Sequence, residues 1–350
     1  MPKSLSIIIV NLIIISGISG CISAYDKGMI IDSNANKFLV ITVDVETGTL
    51  GRLADSDHVE RLIYGKFGNQ SAGITEMMDI ADEVGVKISF FVDVFLIYKF
   101  PNQIIEVIQD IDSRGHDVQL HMHPSFNSTN WEVIENSSEW VESGAKREWK
   151  INCWTQETSD YWFNKSMEVF DQAEVKRPIA FRGGAYRYCD TAIRAMKEFN
   201  MTQSYNYNMF TENQNFSTTY LHNFYWENGV MEFPISYVKD SNGELRFSSR
   251  IDESTWSLPI DDTFERFYEN EASTRVMTMI LHSFSFLSSD ENDKKYLEDY
   301  SKLESFRDFL NNLPPEYKIV SAVELQSYMD RGEVTSELEL PLELVSNECN

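Results

Sequence analysis

Two short clusters carry most of the chemical potential of this chain. Thr42-Val43-Asp44-Val45-Glu46 sets two carboxylates one residue apart, and Gln119-Leu120-His121-Met122-His123-Pro124 does the same with two imidazoles. Residues i and i+2 of a β-strand share a face, so each pair can send both side chains into one space. Both pairs close apolar, β-branched runs, Phe38 to Val45 and Val118 to Leu120, where a strand gives way to a loop. Carboxylate oxygens and imidazole nitrogens are together the donors that hold a divalent ion such as Zn²⁺ with a position open for water, which points towards hydrolysis. Asp-x-Glu by itself is equally the pattern of a solvated strand edge. The chain has only six histidines, however, and two of them within three residues of an apolar run shift the balance towards a site.

Two further segments sit where strands should end. Phe181-Arg182-Gly183-Gly184 places a guanidinium before a sharp turn, and Ile280-Leu281-His282-Ser283 places an imidazole within an apolar strand. Each alone reads as well as a turn or a satisfied core histidine. His116 is out of phase with His121 and His123 and reads as structural, while His58 and His222 fall in no motif. No Ser or Cys is paired with a motif histidine in a way that suggests a covalent route.

The elements that must position these groups alternate along the chain. Strands are expected at Phe38–Glu46, Lys87–Asp93, Asp117–His123, Pro178–Arg182, Val230–Ile235, Val276–Phe286 and Lys318–Ala322. Helices are expected at Ile74–Val84, Gln103–Arg114, Ser159–Gln172, Thr191–Phe199, Tyr296–Leu313 and Ala322–Met329. This βα rhythm implies an α/β fold with parallel strands, either barrel or open sheet. Only a barrel gathers many strand ends at one mouth, and the candidate pairs lie at such ends, which favours the barrel. No linker or repeat divides residues 38–330. An insertion at about 125–160 holds Trp131, Trp140, Trp149 and Trp154, with Trp162 just beyond; these indoles either stack on sugar rings over the mouth or form a small aromatic core. A second irregular stretch, Asn206 to Trp226, is expected at the rim, and 331–350 as a peripheral acidic tail.

Thirty Lys and Arg against 55 Asp and Glu leave a net charge of −25, which repels nucleic acid and anionic lipid head groups. The N-terminus carries Lys3 and an apolar run from Leu5 to Ile18. At about 1.5 Å per residue this run spans roughly 21 Å, short of the hydrocarbon core of a bilayer, so it reads as a signal peptide. Ile18-Ser19-Gly20-Cys21 resembles a prokaryotic lipobox, which makes residues 1–21 a lipoprotein signal with Cys21 as the lipidated residue and 22–37 a linker. Of the remaining cysteines, Cys153 and Cys189 are the expected disulfide pair, Cys349 lying in the tail. Asn-x-Ser/Thr sequons at Asn69, Asn127, Asn136, Asn164, Asn200 and Asn215 fit a surface protein.

In order and spacing, the four motif segments resemble those of the polysaccharide deacetylase (NodB-homology) family over about Phe38 to Met329. Thr42 to Glu46 is similar to the family's first motif in a variant with one residue between the acids. Gly115 to His121 resembles the run into its metal histidines, Phe181 to Gly184 its arginine motif, and Ile280 to His282 its last histidine motif. The family usually spaces its metal histidines by three intervening residues, whereas here one residue intervenes and Ser125 stands four beyond His121. The resemblance implies a distorted (β/α) barrel, a single catalytic domain hydrolysing N-acetyl or O-acetyl groups with a divalent metal, Zn first among Zn, Co, Mn and Ni. It implies Glu46, His121 and His123 as metal ligands, Asp44 as general base oriented by Arg182, and His282 as general acid; Tyr186, with Trp131 and Trp140 of the insertion, are the candidate substrate contacts. The expected partner is an N-acetylated glycan outside the cell, met by a lipid-anchored protein. Two rivals stay open: an amide or cyclic-imide hydrolase on the same barrel, and an inactive glycan-binding lipoprotein.

Overall fold

Alternation along the strands sorts every side chain to one of two sides. In β1 (Lys37–Val45) Leu39, Ile41, Val43 and Val45 join the core packed under the helices, while Phe38 and Val40 join a second, smaller cluster inside the curl of the sheet. Thr42, Asp44 and, just past the strand, Glu46 share the parity of that inner set and are buried. A strand buried on both faces needs an apolar run rather than a half-polar one, which is why β1 carries no exposed residue.

The chain is a computed structural model, described over residues 37–47, 58–124, 151, 154–209, 216, 219–239, 242, 245–247, 275–290 and 295–346. After β1 come α1 (Ile74–Glu83), β2 (Ser89–Asp93), α2 (Pro101–Ser113), β3 (Asp117–Met122), α3 (Gln156–Gln172), β4 (Ala180–Gly183), α4 (Asp190–Glu198) and β5 (Gln203–Ser204). Two short strands follow, β6 (Phe224–Trp226) and β7 (Met231–Glu232), and after residue 274 the longer β8 (Val276–His282). The chain then runs through α5 (Tyr300–Asn311), β9 (Tyr317–Ile319), α6 (Ala322–Asp330) and β10 (Glu339–Leu340).

These ten strands form one sheet in the order β8-β1-β2-β3-β4-β5-β7-β6-β10, with β9 beside the start of β1. Every neighbouring pair is parallel except β6 with β7. The sheet curls into a distorted barrel that is almost closed past β7: Ser236 N–H donates to Thr278 O of β8 at 3.1 Å, and Thr278 N–H donates to Ser236 Oγ at 3.0 Å. The helices follow from their apolar spacing. Met77, Met78 and Ala81 continue Ile74 along one stripe of α1, and Val107, Ile108 and Ile111 continue Ile104 along α2. Pro101 opens α2 where its missing N–H costs nothing, and Ser321 and Glu324 cap α6 reciprocally, at 3.2 and 2.8 Å.

Several expectations are revised. Residues 295–298 are not the start of a helix but a strand pairing with Leu287–Asp290, and α5 begins after Asp299, whose carboxylate accepts from Ser301 N–H at 3.2 Å. The stretch expected as a rim from Asn206 begins with the buried Asn206, Tyr207 and Asn208 and ends in β6. Much of the supposed peripheral tail packs inward: β10 pairs with β6, and Val334, Leu342 and Val345 are buried, because apolar residues spaced among the acids give it an inner face. Cys189 is a free, buried thiol that donates to Ile151 O at 3.1 Å, and its expected partner Cys153 lies outside the described residues. Trp154 and Trp162 are core residues set against the Phe95 ring, at 6.4 and 4.8 Å, while Trp131, Trp140, Cys21, Cys153 and Cys349 lie outside the described residues.

Candidate active site

Five adjacent strands bring ionisable side chains to one end of the barrel. Register places Asp44 beside His282, Asp93 beside His121, and His121 beside Arg182, so β8, β1, β2, β3 and β4 each deliver a group at the C-terminal end. Lower in the curl the inner face is apolar, with Phe38, Val40, Phe91 and Val276, so the charged layer rests on a dry floor. All six motif side chains are buried.

Arg182 organises one half of this layer. It is fully buried, and its Nη1 donates to Asp44 Oδ1 at 2.6 Å, its Nη2 to Thr42 Oγ1 at 2.8 Å and its Nε to Tyr205 O at 3.1 Å. The guanidinium also lies over the Phe91 ring, 4.7 Å from its centroid, a cation–π contact strengthened by desolvation. Burial pushes Asp44 upward, yet Arg182, with His121 and His282 behind it, holds the carboxyl below its ordinary 3.8. Asp44 is therefore an oriented, ionised carboxylate at neutral pH.

Glu46 occupies the other half between two imidazoles. Its Oε2 is 3.3 Å from His121 Nε2 and its Oε1 is 3.5 Å from His282 Nε2. His121 Nδ1 lies 2.8 Å from Arg182 O, and since a carbonyl only accepts, Nδ1 carries the proton and Nε2 is turned to Glu46. Burial opposes the charge on His121, but Asp44, Glu46 and Asp93 outweigh it and raise the imidazole to about 9. His123 behaves oppositely: burial, reinforced by His121, drives it well below 6.5 and leaves it neutral. The two rings meet edge to face, 5.8 Å apart.

Gly184 explains why the arginine motif ends in glycine. A Cβ there would lie 2.2 Å from His123 Cγ, so the turn is open to the imidazole only without a side chain. The following Ala185 and Tyr186 take left-handed φ of 53° and 55°, a strained conformation after β4, and Tyr186 is half-buried. His116, by contrast, lies below the site. Its Nδ1 accepts from Ile88 N–H at 3.2 Å, its Nε2 faces Asp82 at 3.4 Å, and burial lowers it to about 4, as befits a structural histidine.

Sequence reasoning passed over three supports of this layer. Asn206 Oδ1 accepts from Gly183 N–H at 2.6 Å and fixes the turn after Arg182; Glu232, fully buried, accepts from the N–H groups of Asn206 and Tyr207 at 2.6 and 2.7 Å. Asp93 Oδ1 accepts from the N–H groups of Phe95 and His123 at 3.2 and 3.1 Å, and burial pushes this carboxyl up to about 7. Only Asp93 left a trace in the sequence, as an acid closing an apolar run in Ser89 to Asp93.

The donor chemistry suits a divalent cation at Glu46 and His121. Two ligands about 2.0–2.1 Å from one tetrahedral ion stand roughly 3.3 Å apart, the spacing Glu46 shows to His121, and a ligating histidine characteristically donates its other N–H to a carbonyl as His121 does. Among the described residues no three His, Cys, Asp or Glu side chains are gathered as a ready ligand set, so a third ligand, His123 or His282, would have to turn in.

No protein-family profile and no curated protein matches the chain. Solved structures do. A candidate polysaccharide deacetylase from Mycobacterium smegmatis superposes with a TM-score of 0.53 at 14% identity, covering 87% of this chain and 94% of that one. A 4-alpha-glucanotransferase from Thermococcus litoralis also reaches 0.53, at 10% identity, over 89% of this chain and 42% of that one. A peptidoglycan deacetylase from Bacillus subtilis gives 0.41 at 12% identity, over 87% and 96%. The chain thus has the distorted barrel of polysaccharide deacetylases that its motifs imply, and this barrel is also found in an enzyme of glycosyl transfer.

Proposed function

We propose that this protein is a metal-dependent hydrolase that removes N-acetyl or O-acetyl groups from a polysaccharide outside the cell. The observation that carries this reading is the Asp44–Arg182 pair set beside a carboxylate, Glu46, bracketed by two histidines. Asp44 is held ionised, which suits a base that takes a proton from water.

In this reading Glu46 and His121, with His123, hold the ion. When bound, a divalent ion supplies Lewis-acid polarisation of an acyl oxygen and lowers the pKa of water. Asp44, aligned by Arg182, takes a proton from the attacking water. His282, whose Nε2 faces the same space, returns one to the departing amine or alcohol. Tyr186 and, beyond the described residues, Trp131 and Trp140 contact the sugar.

Acetate release from a panel of N-acetylated and O-acetylated oligosaccharides, with elemental analysis of the same samples, tests the assignment. Activity should follow divalent-ion content and vanish on chelation; full activity in metal-free protein, or transglycosylation without acetate, would sink it. His282→Ala should keep its metal and lose about 10²–10⁴ in kcat, whereas loss of metal would make His282 a ligand.

Export through residues 1–21 with a lipid on Cys21 completes the proposal. No helix among the described residues is long and apolar enough to cross a membrane. Mass spectrometry should find a diacylglyceryl-type mass on Cys21, and Cys21→Ser should release the protein from the membrane fraction. An unmodified Cys21 in membrane-bound protein would refute it.

A further inference from the structure

Asp93 is an acid at the barrel mouth that none of the four motifs includes. It closes β2 next to His121 in the parallel register and is 1% exposed. Its two oxygens are used unequally. Oδ1 accepts from Phe95 and His123 N–H groups, which caps the turn after β2 and pins the main chain of the second histidine. Oδ2, equally buried, has no hydrogen-bond partner among the described residues. An unsatisfied buried polar atom costs about 1–3 kcal/mol, and more when charged, so such an atom in a folded protein asks for a completing group. The charges around it point the same way. Asp44, Glu46 and Asp93 all act on His121, the Arg182 guanidinium is already committed to Asp44, and the Arg187 guanidinium acts on His123.

We propose that Asp93 is a positioning residue of the cation site: Oδ1 fixes His123, and Oδ2 supplies negative charge that a divalent ion at Glu46 and His121 requires. The proposal rests on the metal-dependent reading above. The N–H that Asp93 holds is that of His123 itself, at the point where β3 ends.

Co²⁺ titration of the metal-free protein tests it, reading the d–d absorption, competition with a chelator and the Tm of the metal-free form. Asp93→Asn keeps an oxygen for both N–H groups and removes the charge; Asp93→Ala removes both. The Asn variant should bind Co²⁺ about 10–100-fold more weakly while its metal-free Tm is unchanged or higher, since repulsion with Glu46 is relieved. The Ala variant should lose affinity and Tm together. Wild-type Co²⁺ affinity in Asp93→Asn overturns the role of Asp93 and leaves the metal-dependent reading standing, whereas a wild-type protein that takes up no Co²⁺ overturns both. A Tm loss in Asn equal to that in Ala shows a purely structural role and also overturns the proposal. Should the Asn variant fail to fold, anomalous scattering from Co²⁺ in wild-type crystals decides: an ion within about 6 Å of Oδ2, the range of a strong charge interaction, supports the proposal and one farther away refutes it.

Discussion

Asp44→Asn is expected to keep the fold and the bound ion while losing about 10²–10⁴ in kcat, the range for removal of a general base. The amide oxygen can still accept from Arg182 Nη1, so the 2.6 Å contact and the position of the side chain survive, but the group can no longer take a proton. Glu46→Gln should do the reverse. Its carboxylate is the one set 3.3 Å from His121, and a neutral amide both ligates more weakly and fails to offset the charge of an ion, so metal occupancy should fall first and activity with it. Metal content and kcat measured on both variants decide the matter. An Asp44→Asn protein empty of metal beside a Glu46→Gln protein that retains it would exchange the two roles.

Arg182→Leu should be among the most destabilising single changes in the chain, by about 3–5 kcal/mol, because it leaves Asp44 buried without its partner. It also empties the donors that satisfy Thr42 Oγ1 and Tyr205 O. The double variant with Asp44→Asn should recover a large part of that loss, which a denaturant titration of the four proteins measures as a coupling. Acid sensitivity should change sign at this site. In the wild type Asp44 is held below 3.8, so the unfolded chain binds its proton more readily; the pair's stabilisation is complete above about pH 4 and is lost as pH falls through the lower folded value. In Arg182→Leu burial, the largest influence on Asp44, is opposed only by His121 and His282 and raises the carboxyl, so protonation at falling pH relieves the variant. A cost below about 1 kcal/mol, typical of an exposed pair, would show that Arg182 and Asp44 are solvated.

Much of this was legible without coordinates, for reasons that particular residues show. The runs ending in Asp44, Asp93, His121, Arg182 and His282 are long and apolar enough to specify buried strands, and the i, i+2 rule already puts Asp44 with Glu46 and His121 with His123. The strands β5 and β10, of two residues each, left no periodic signal, so Asn206 reads as a rim loop and Leu340 as tail. Glu232 could not be recognised as a support, since nothing local distinguishes a carboxylate that accepts four hydrogen bonds from one in water.

What the sequence determined by itself is the βα order, the barrel, and the set of groups at its mouth, because these follow from local periodicity and from strand ends. Pairing was left to tertiary structure. That Arg182 engages Asp44 and not Glu46, that Glu46 lies between His121 and His282, that Asp93 grips His123, and that Cys189 stays a thiol depend on tertiary contacts, some of them between residues 237 positions apart. Contacts at that separation are set by how the sheet curls and by which buried charge finds a partner, and no local pattern encodes either.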